Sequence, residues 1–214
     1  MSIALNISEI LFAGIDMSES KRKKMVNEGS IRKITSKIYT PNMVDSLEDI
    51  VKRNVFRILG FLFPHAVISH RSAFELKPTE AGDIYLTYEY TKNVKLPGLK
   101  VHLMEGHGGG ERDMPFIENL YISSAERRTL ENLQASRSRG GVSKCLPREY
   151  IENYLEKHLQ VNGEKGLNDF RDKARECSLE LGMKEEFNTL NSIIGALLLT
   201  SCLLYTSPSP RDCS

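Results

Sequence analysis

A chain of 214 residues is long enough for one good-sized domain or two small ones. Its 29 basic and 28 acidic residues nearly cancel, so bulk charge excludes a strongly polyanion-seeking or polycation-seeking protein, and any such signal must be local. The start, "MSIALNISEILFAGIDMSE", lacks the basic opening and small-residue cleavage site of a secretory signal. Four cysteines, Cys145, Cys177, Cys202 and Cys213, have no paired metal spacing and fit free thiols in a reducing, cytoplasmic compartment.

In chain order, residues 3–12 ("IALNISEILF") predict a short helix that Gly14 would stop. Ser18 or Ser20 can cap a second helix running to about Asn27, because a hydroxyl accepts from otherwise unpaired first-turn N–H groups. Gly29 supplies a break, and Ile31, Ile34, Ile38 and Tyr39 then fall in two short extended pieces that read as a hairpin. Helix, helix and a two-stranded wing is the order of a winged helix-turn-helix, which places a first module at residues 1–43.

"DSLEDIVKRNVFRILGFLF" predicts one long helix. Ser46 and Asp49 approach a capping box, Leu47 through Leu62 carry a broad apolar stripe, and Pro64 ends it. "AVIS" reads as a short buried strand and "HRSAFEL" as a turn of helix. "DIYLTYEY" alternates Ile84, Leu86, Tyr88 and Tyr90, the pattern of a half-buried strand. A turn at Pro97–Gly98 leads into a strand through Val101 and Leu103, "NLYISS" is a further strand, and "SAERRTLENLQ" returns to helix. Residues 44–135 therefore predict a small mixed α/β module, followed by a linker at 136–146 around "SRSRGGVSK". A helical region over 147–200 opens at Pro147, breaks at Asn162–Gly163 and again at Gly182. The expected fold class is α+β.

The strongest local charge signal is Lys21, Arg22, Lys23, Lys24, Arg32, Lys33 and Lys37: seven positive charges within residues 21–37, opposed by Glu28 alone. On one exposed face of a recognition helix and wing they would neutralise DNA phosphates, whereas a charge run by itself is usually a solvated helix face. "EGHGGGERD" (105–113) is Gly-rich and holds His107, Glu111 and Asp113, but no Lys-Ser/Thr follows, and no second His or Cys stands at ligand spacing. It reads as a flexible loop, and no metal or cofactor site is expected. His65 and His70 flank a strand, with Ser69, Arg71 and Ser72 beside His70. No glycine elbow or acid partner accompanies them, so both read as structural. Cys145 and Cys177 read as ordinary thiols. Arg127, Arg128, Arg137 and Arg139 could touch phosphate or a partner, although exposed helices and linkers are commonly basic without doing so.

The last fourteen residues, "SCLLYTSPSPRDCS", follow an apolar run that polar residues interrupt too often for a membrane anchor. Cys202 through Asp212, eleven consecutive residues, resemble the one-frame translation of a transposase-based sequencing adapter. The expectation is that native sequence ends near Thr200, within a helix, and that residues 201–214 are an artefactual tail.

With that tail set aside, "IRKITSKIYTPN", "IVKRNVFRILGFLFPHAVISHRSAFE", "DIYLTYEY", "LPGLKVHLMEG", "LYISSAERRTLENLQ", "GEKGLNDFRDKAR" and "IIGALL" resemble the region upstream of the catalytic domain in one group of bacterial Fic-family proteins. In that group this region is similar to the AbiEi-type antitoxins: a winged helix followed by an α/β module with an "ISHRSA"-like segment. The resemblance implies a DNA-binding, antitoxin-like regulatory part of a protein adenylyltransferase, from a toxin–antitoxin setting. Its partners would be DNA and either a Fic domain in cis or a toxin, with no membrane. The alternative is a scaffold or restraint for the Fic domain with no DNA binding of its own. The family's His-Pro-Phe-x-x-Gly-Asn-Gly-Arg loop does not occur, nor does the Ser/Thr-x-x-x-Glu-Gly/Asn pattern of its inhibitory helix, so this chain is not expected to be an enzyme. The helical region would lead into a catalytic domain beyond it.

Overall fold

A computed structural model of the chain describes residues 8–109, 112–135 and 143–205, with side chains as far as residue 200. The fold is α+β, and its residues group into two compact units. One holds the described residues of Met1–Ile68 and Glu75–Ile122, the other those of Ser69–Phe74 and Ser123–Ser214.

The first unit opens on strand β1 (Leu11–Phe12), helix α1 (Glu19–Asn27) and a hairpin of β2 (Arg32–Thr35) and β3 (Ile38–Thr40), giving a three-stranded sheet of order β1-β3-β2. The helix expected over residues 3–12 is absent from its described part, residues 8–12. There the burial has a period of two, because Leu11 lies opposite Tyr39 on one face while Phe12, opposite Ile38, stacks on Phe61 at 4.3 Å on the other. Residues 3–7 lie outside the described part. Among the described residues the order is thus strand, helix, hairpin. α1 is capped by Ser18, whose Oγ accepts from the Lys21 N–H at 3.3 Å, and Gly29 follows it at φ 67°.

The single helix expected after Ser46 is two: α2 (Leu47–Arg53) and α3 (Val55–Leu62). Ser46 caps α2, accepting from the Asp49 N–H at 3.1 Å and donating to the Asp49 carboxylate at 2.6 Å. Asn54 divides the pair, at φ −110° and ψ 21°. Its amide donates to the Ile50 carbonyl at 2.9 Å and to Glu9 Oε2 at 2.6 Å, so the side chain competes with the helical ladder.

Glu9 is the hub of a brace. Its Oε1 accepts from Arg53 at 2.6 Å and from Asn42 at 3.1 Å, and Arg53 also reaches Asp45 at 2.6 Å. Chiefly through the Arg53 hydrogen bond, the Glu9 carboxyl is held down at about 2. A depressed acid stabilises the fold above its unfolded value and loses that contribution as pH falls toward the folded value. Stability should therefore decline from about pH 4.5 down to about pH 2. Glu9→Gln should lower Tm at pH 7 and flatten this acid limb, as thermal melts across that range would read; an unchanged limb would exclude Glu9 as its source. The effect is modest, since the Arg53 side chain is about half exposed and water screens the pair.

A second sheet of six strands has the order β6-β7-β5-β4-β9-β8, with β4 (Val67–Ile68), β5 (Asp83–Tyr88), β6 (Lys92–Leu96), β7 (Leu99–Glu105), β8 (Met114–Pro115) and β9 (Tyr121–Ile122). It is mixed: β5–β7 and β4–β9 run parallel, and the other pairs antiparallel. β5 is not half-buried as its alternation predicts, because Asp83 through Thr87 are all buried. It is an interior strand. Its polar-facing residues are covered by Tyr85 stacking on His102 at 4.8 Å, by the His102–Asp83 bond at 2.7 Å, and by Gly106 lying close over the Thr87 methyl. β6 has only Val94 and Leu96 alternating with polar residues, too short a run to announce a strand by itself. It is an edge, and Lys92 and Lys95 stand exposed on it, as edge strands commonly require.

The second unit begins with α4 (His70–Glu75), of which residues 70–74 belong to it, and continues with α5 (Ala125–Asn132), α6 (Arg148–Leu181) and α7 (Lys184–Tyr205). Pro147 precedes α6 as its cap residue, Gly163 (φ 69°, ψ −178°) kinks it where the sequence breaks, and a left-handed Gly182 closes it. Leu130, Ile151, Leu155, Leu167, Phe170 and Ile194 form its core, with Phe74 packed edge-on against Tyr150 and Tyr154. The segments expected from the sequence are cut differently here. α5 packs with the C-terminal helices rather than closing an α/β module at 135, and residues 8–43 share one unit with α2 and α3 because the Glu9 brace and the Phe12–Phe61 stack cross the expected boundary. Of the expected linker, residues 136–142 and therefore Arg137 and Arg139 lie outside the described residues. α7 continues to Tyr205, and the rest of the tail lies outside the description. Among the described residues no helix is long and apolar enough to cross a membrane.

Candidate nucleic-acid interface

The seven basic residues lie on α1 and the β2–β3 hairpin, as the sequence places them, but they do not form a single exposed face. Directly paired strand residues share a face and successive ones alternate. Leu11, Tyr39 and Lys33 are in register, so they lie on one face of the three-stranded sheet. α1 covers that face: Met25 packs against a small cluster of Met17, Ile31 and Tyr39. Arg32 pairs with Thr40 and so belongs to the opposite face. There its Nε and Nη2 donate to the Asn42 carbonyl at 2.9 and 2.6 Å, and Nη2 donates to the Asp45 carbonyl at 2.6 Å. Arg32 is thus a structural tie to the segment that leads into α2.

Arg22 is also engaged within the fold. It pairs with Glu19, donates from Nη1 to the Tyr39 hydroxyl at 3.0 Å, and lies 5.7 Å from that ring's centroid. The other five are different. Lys21, Lys23 and Lys24 on α1, Lys33 on β2 and Lys37 in the hairpin turn are all exposed. Lys24 has one acidic neighbour, Glu28 at 3.8 Å. Among the described residues the other four make no ion pair.

The remaining candidates are interior. His70 is buried in the second unit with φ 52°. Its Nδ1 is 3.1 Å from Ser69 Oγ and its Nε2 is 3.2 Å from Gln134 Oε1, which also accepts from Lys144 Nζ at 2.6 Å. The His70 backbone N–H donates to Glu131 at 2.9 Å, and Glu131 takes the Arg127 Nε–H on its other oxygen at 2.8 Å. Burial holds the imidazole below its usual value, so His70 is a neutral structural hub. Sequence reading took His70 as structural but missed Glu131, Gln134 and Lys144, because these partners lie more than sixty residues away and no local pattern links them.

Arg127 is buried, and Arg128 lies over the Phe74 ring at 5.0 Å, so neither is presented as a phosphate contact. The Cys145 thiol donates to the Glu131 carbonyl at 3.3 Å and burial raises its pKa; Cys177 is buried in the helical core. His65 is exposed at φ 65° beside Tyr121. In the Gly-rich segment, a side chain on Gly109 would collide with the Tyr121 ring and one on Gly106 with the Thr87 methyl, so at these two positions the backbone lies close against the sheet. Among the described residues no cluster of His, Cys, Asp and Glu could hold a metal.

Compared with known protein families, curated proteins and solved structures, the chain matches none.

Proposed function

We propose that this chain is a DNA-binding regulatory module, the antitoxin-like N-terminal part of a Fic-type protein, acting beside a Fic domain in cis or a toxin partner in the cytoplasm. The reading rests on one observation: five exposed lysines, Lys21, Lys23, Lys24, Lys33 and Lys37, gathered on a single small strand–helix–hairpin module of an otherwise charge-balanced chain. Ammonium groups so placed neutralise phosphates and release condensed counterions, which supplies most sequence-independent affinity. In this reading the chain itself transfers no nucleotide, since it has neither the His base nor the Gly-rich phosphate turn of a Fic loop.

Arg22 and Arg32 are committed elsewhere, so the electrostatic footprint is five charges, not seven. The slope of log Kobs against log salt should be about −4.5 at most. Replacing all five lysines with alanine should bring that slope close to zero and abolish measurable binding at about 150 mM salt, with the fold intact because none of them is buried. A salt titration by fluorescence anisotropy reads both. An unchanged affinity in the five-fold variant would favour the alternative, a scaffold or restraint without DNA binding of its own.

A further inference from the structure

We infer that the lysine module binds double-stranded DNA through its phosphates alone, without reading bases. This rests on the DNA-binding reading above and specifies its ligand. Sequence is read in the major groove by planar, bidentate side chains, above all the arginine fork on guanine and the amides of Asn and Gln on adenine. Both arginines of the module are withdrawn from that use. Arg22 is spent on Glu19 and the Tyr39 hydroxyl, and Arg32 on two backbone carbonyls. The amide of Asn42 is saturated too: it donates to Glu9 and Asp45 and accepts from the Val44 and Asp45 N–H groups. Asn27, the single amide of α1, stands at its C-terminal end next to the Glu28 carboxylate, which repels phosphate. Ser18 and Ser20 bond each other and Ser30 bonds the Met25 carbonyl, so beside Ser36 and Asn27 what remains exposed is chiefly a set of point charges, suited to phosphate and poor at discriminating bases.

Single strands are excluded by a second observation. Proteins that hold unpaired bases stack them on exposed aromatic rings. The aromatic side chains of residues 8–45 are Phe12 and Tyr39, each only 5% exposed, one stacked on Phe61 and the other under Arg22. The helix also favours B-form over A-form duplex. α1 has nine residues, none of them buried, and three of its lysines are exposed. Such a helix, about 10–12 Å across with its side chains, can enter a major groove about 12 Å wide, whereas the deep, narrow major groove of duplex RNA does not admit it.

The test uses the whole chain and fluorescence anisotropy with four probes: two duplex DNAs of unrelated sequence, one of their single strands, and the matching duplex RNA, all about 20 nucleotides long and at about 50 and 200 mM salt. The two DNA duplexes should bind within about threefold of each other, with equal salt slopes, and both should be lost in the five-lysine variant. The single strand and the RNA duplex should each bind at least about tenfold more weakly. A preference of more than about a hundredfold for one DNA duplex would overturn base-independent binding while leaving the DNA-binding reading intact. Tighter binding of the single strand or the RNA would overturn the choice of ligand. No binding to any probe would instead sink the parent reading, a distinct result.

Discussion

Glu131→Ala should lower the stability of the helical unit by about 3–5 kcal/mol, the largest loss expected from any single change in the polar interior. Glu131 is 1% exposed and serves three partners. One carboxylate oxygen holds the Arg127 Nε–H at 2.8 Å, the other accepts the His70 backbone N–H at 2.9 Å, and its own carbonyl takes the Cys145 thiol. Truncation removes a carboxylate bonded to a buried guanidinium and orphans the N–H of a residue held at φ 52°. Buried ion pairs contribute little compared with apolar replacements, but half a pair is costly, and here the removed half is also a backbone acceptor. Glu131→Gln keeps an acceptor for His70 and should cost less than the alanine. Urea denaturation followed by far-UV circular dichroism measures both. A loss below about 1 kcal/mol for Glu131→Ala would mean that water reaches Arg127 and that the network is not closed.

Gly60→Ala should cost about 3 kcal/mol, at the upper end of what one added methyl does in a packed interior. A Cβ at Gly60 would meet the Glu118 carbonyl oxygen at 1.9 Å and the Glu118 Cβ at 2.8 Å. The obstacle is backbone, and that backbone cannot give easily. Glu118 and Asn119 both sit in the left-handed region, at φ 55° and 62°, within a 3-10 turn (Ile117–Asn119), and the Asn119 carbonyl is tied by the His65 N–H at 2.8 Å. Relief requires α3 to move off the turn, which would disturb the edge-on contact of Phe56 with Phe116, 5.2 Å between centroids. A Tm unchanged within error would show that the turn relaxes freely. Alanine is ordinarily the better helix former, so propensity predicts the opposite sign, and the experiment separates the two effects cleanly.

Arg22 and Arg32 show why the candidate interface was only partly legible. Charge and spacing place seven cations on a helix and hairpin, and a sequence holds no record of which guanidiniums the fold will consume. Arg32 is removed by strand parity, a one-residue alternation that sends it to the face opposite Tyr39. The carbonyls it finds there belong to Asn42 and Asp45, ten and thirteen residues away. Arg22 is removed by helix periodicity, since it lies three residues before Met25 and shares the inward side of α1. Lysines at neighbouring positions, turned outward, keep their charge for a partner.

Local chemistry was enough wherever the deciding atoms are close in sequence. Ser18, Ser46 and Ser124 cap their helices through N–H groups three residues on, Gly163 and Gly182 end helical runs through their own φ, and the apolar stripes of α6 and α7 announce the helices they build. Tertiary structure decided the rest, always through partners distant in the chain. Residues 8–12 read as helix yet pair as strand, because β3 offers them a ladder and Phe61 a stacking surface. The apolar stripe around Asn54 reads as one helix yet divides, because Glu9 draws the Asn54 amide aside. Ile193 and Ile194 are 4% and 0% exposed, because the kink at Gly163 folds α6 into two stretches that both contribute to the core, whereas Leu197 and Leu198 on the next turn are only partly buried. Propensity and periodicity are properties of a few neighbouring residues; register, close approach and burial are set by whatever the rest of the chain brings alongside.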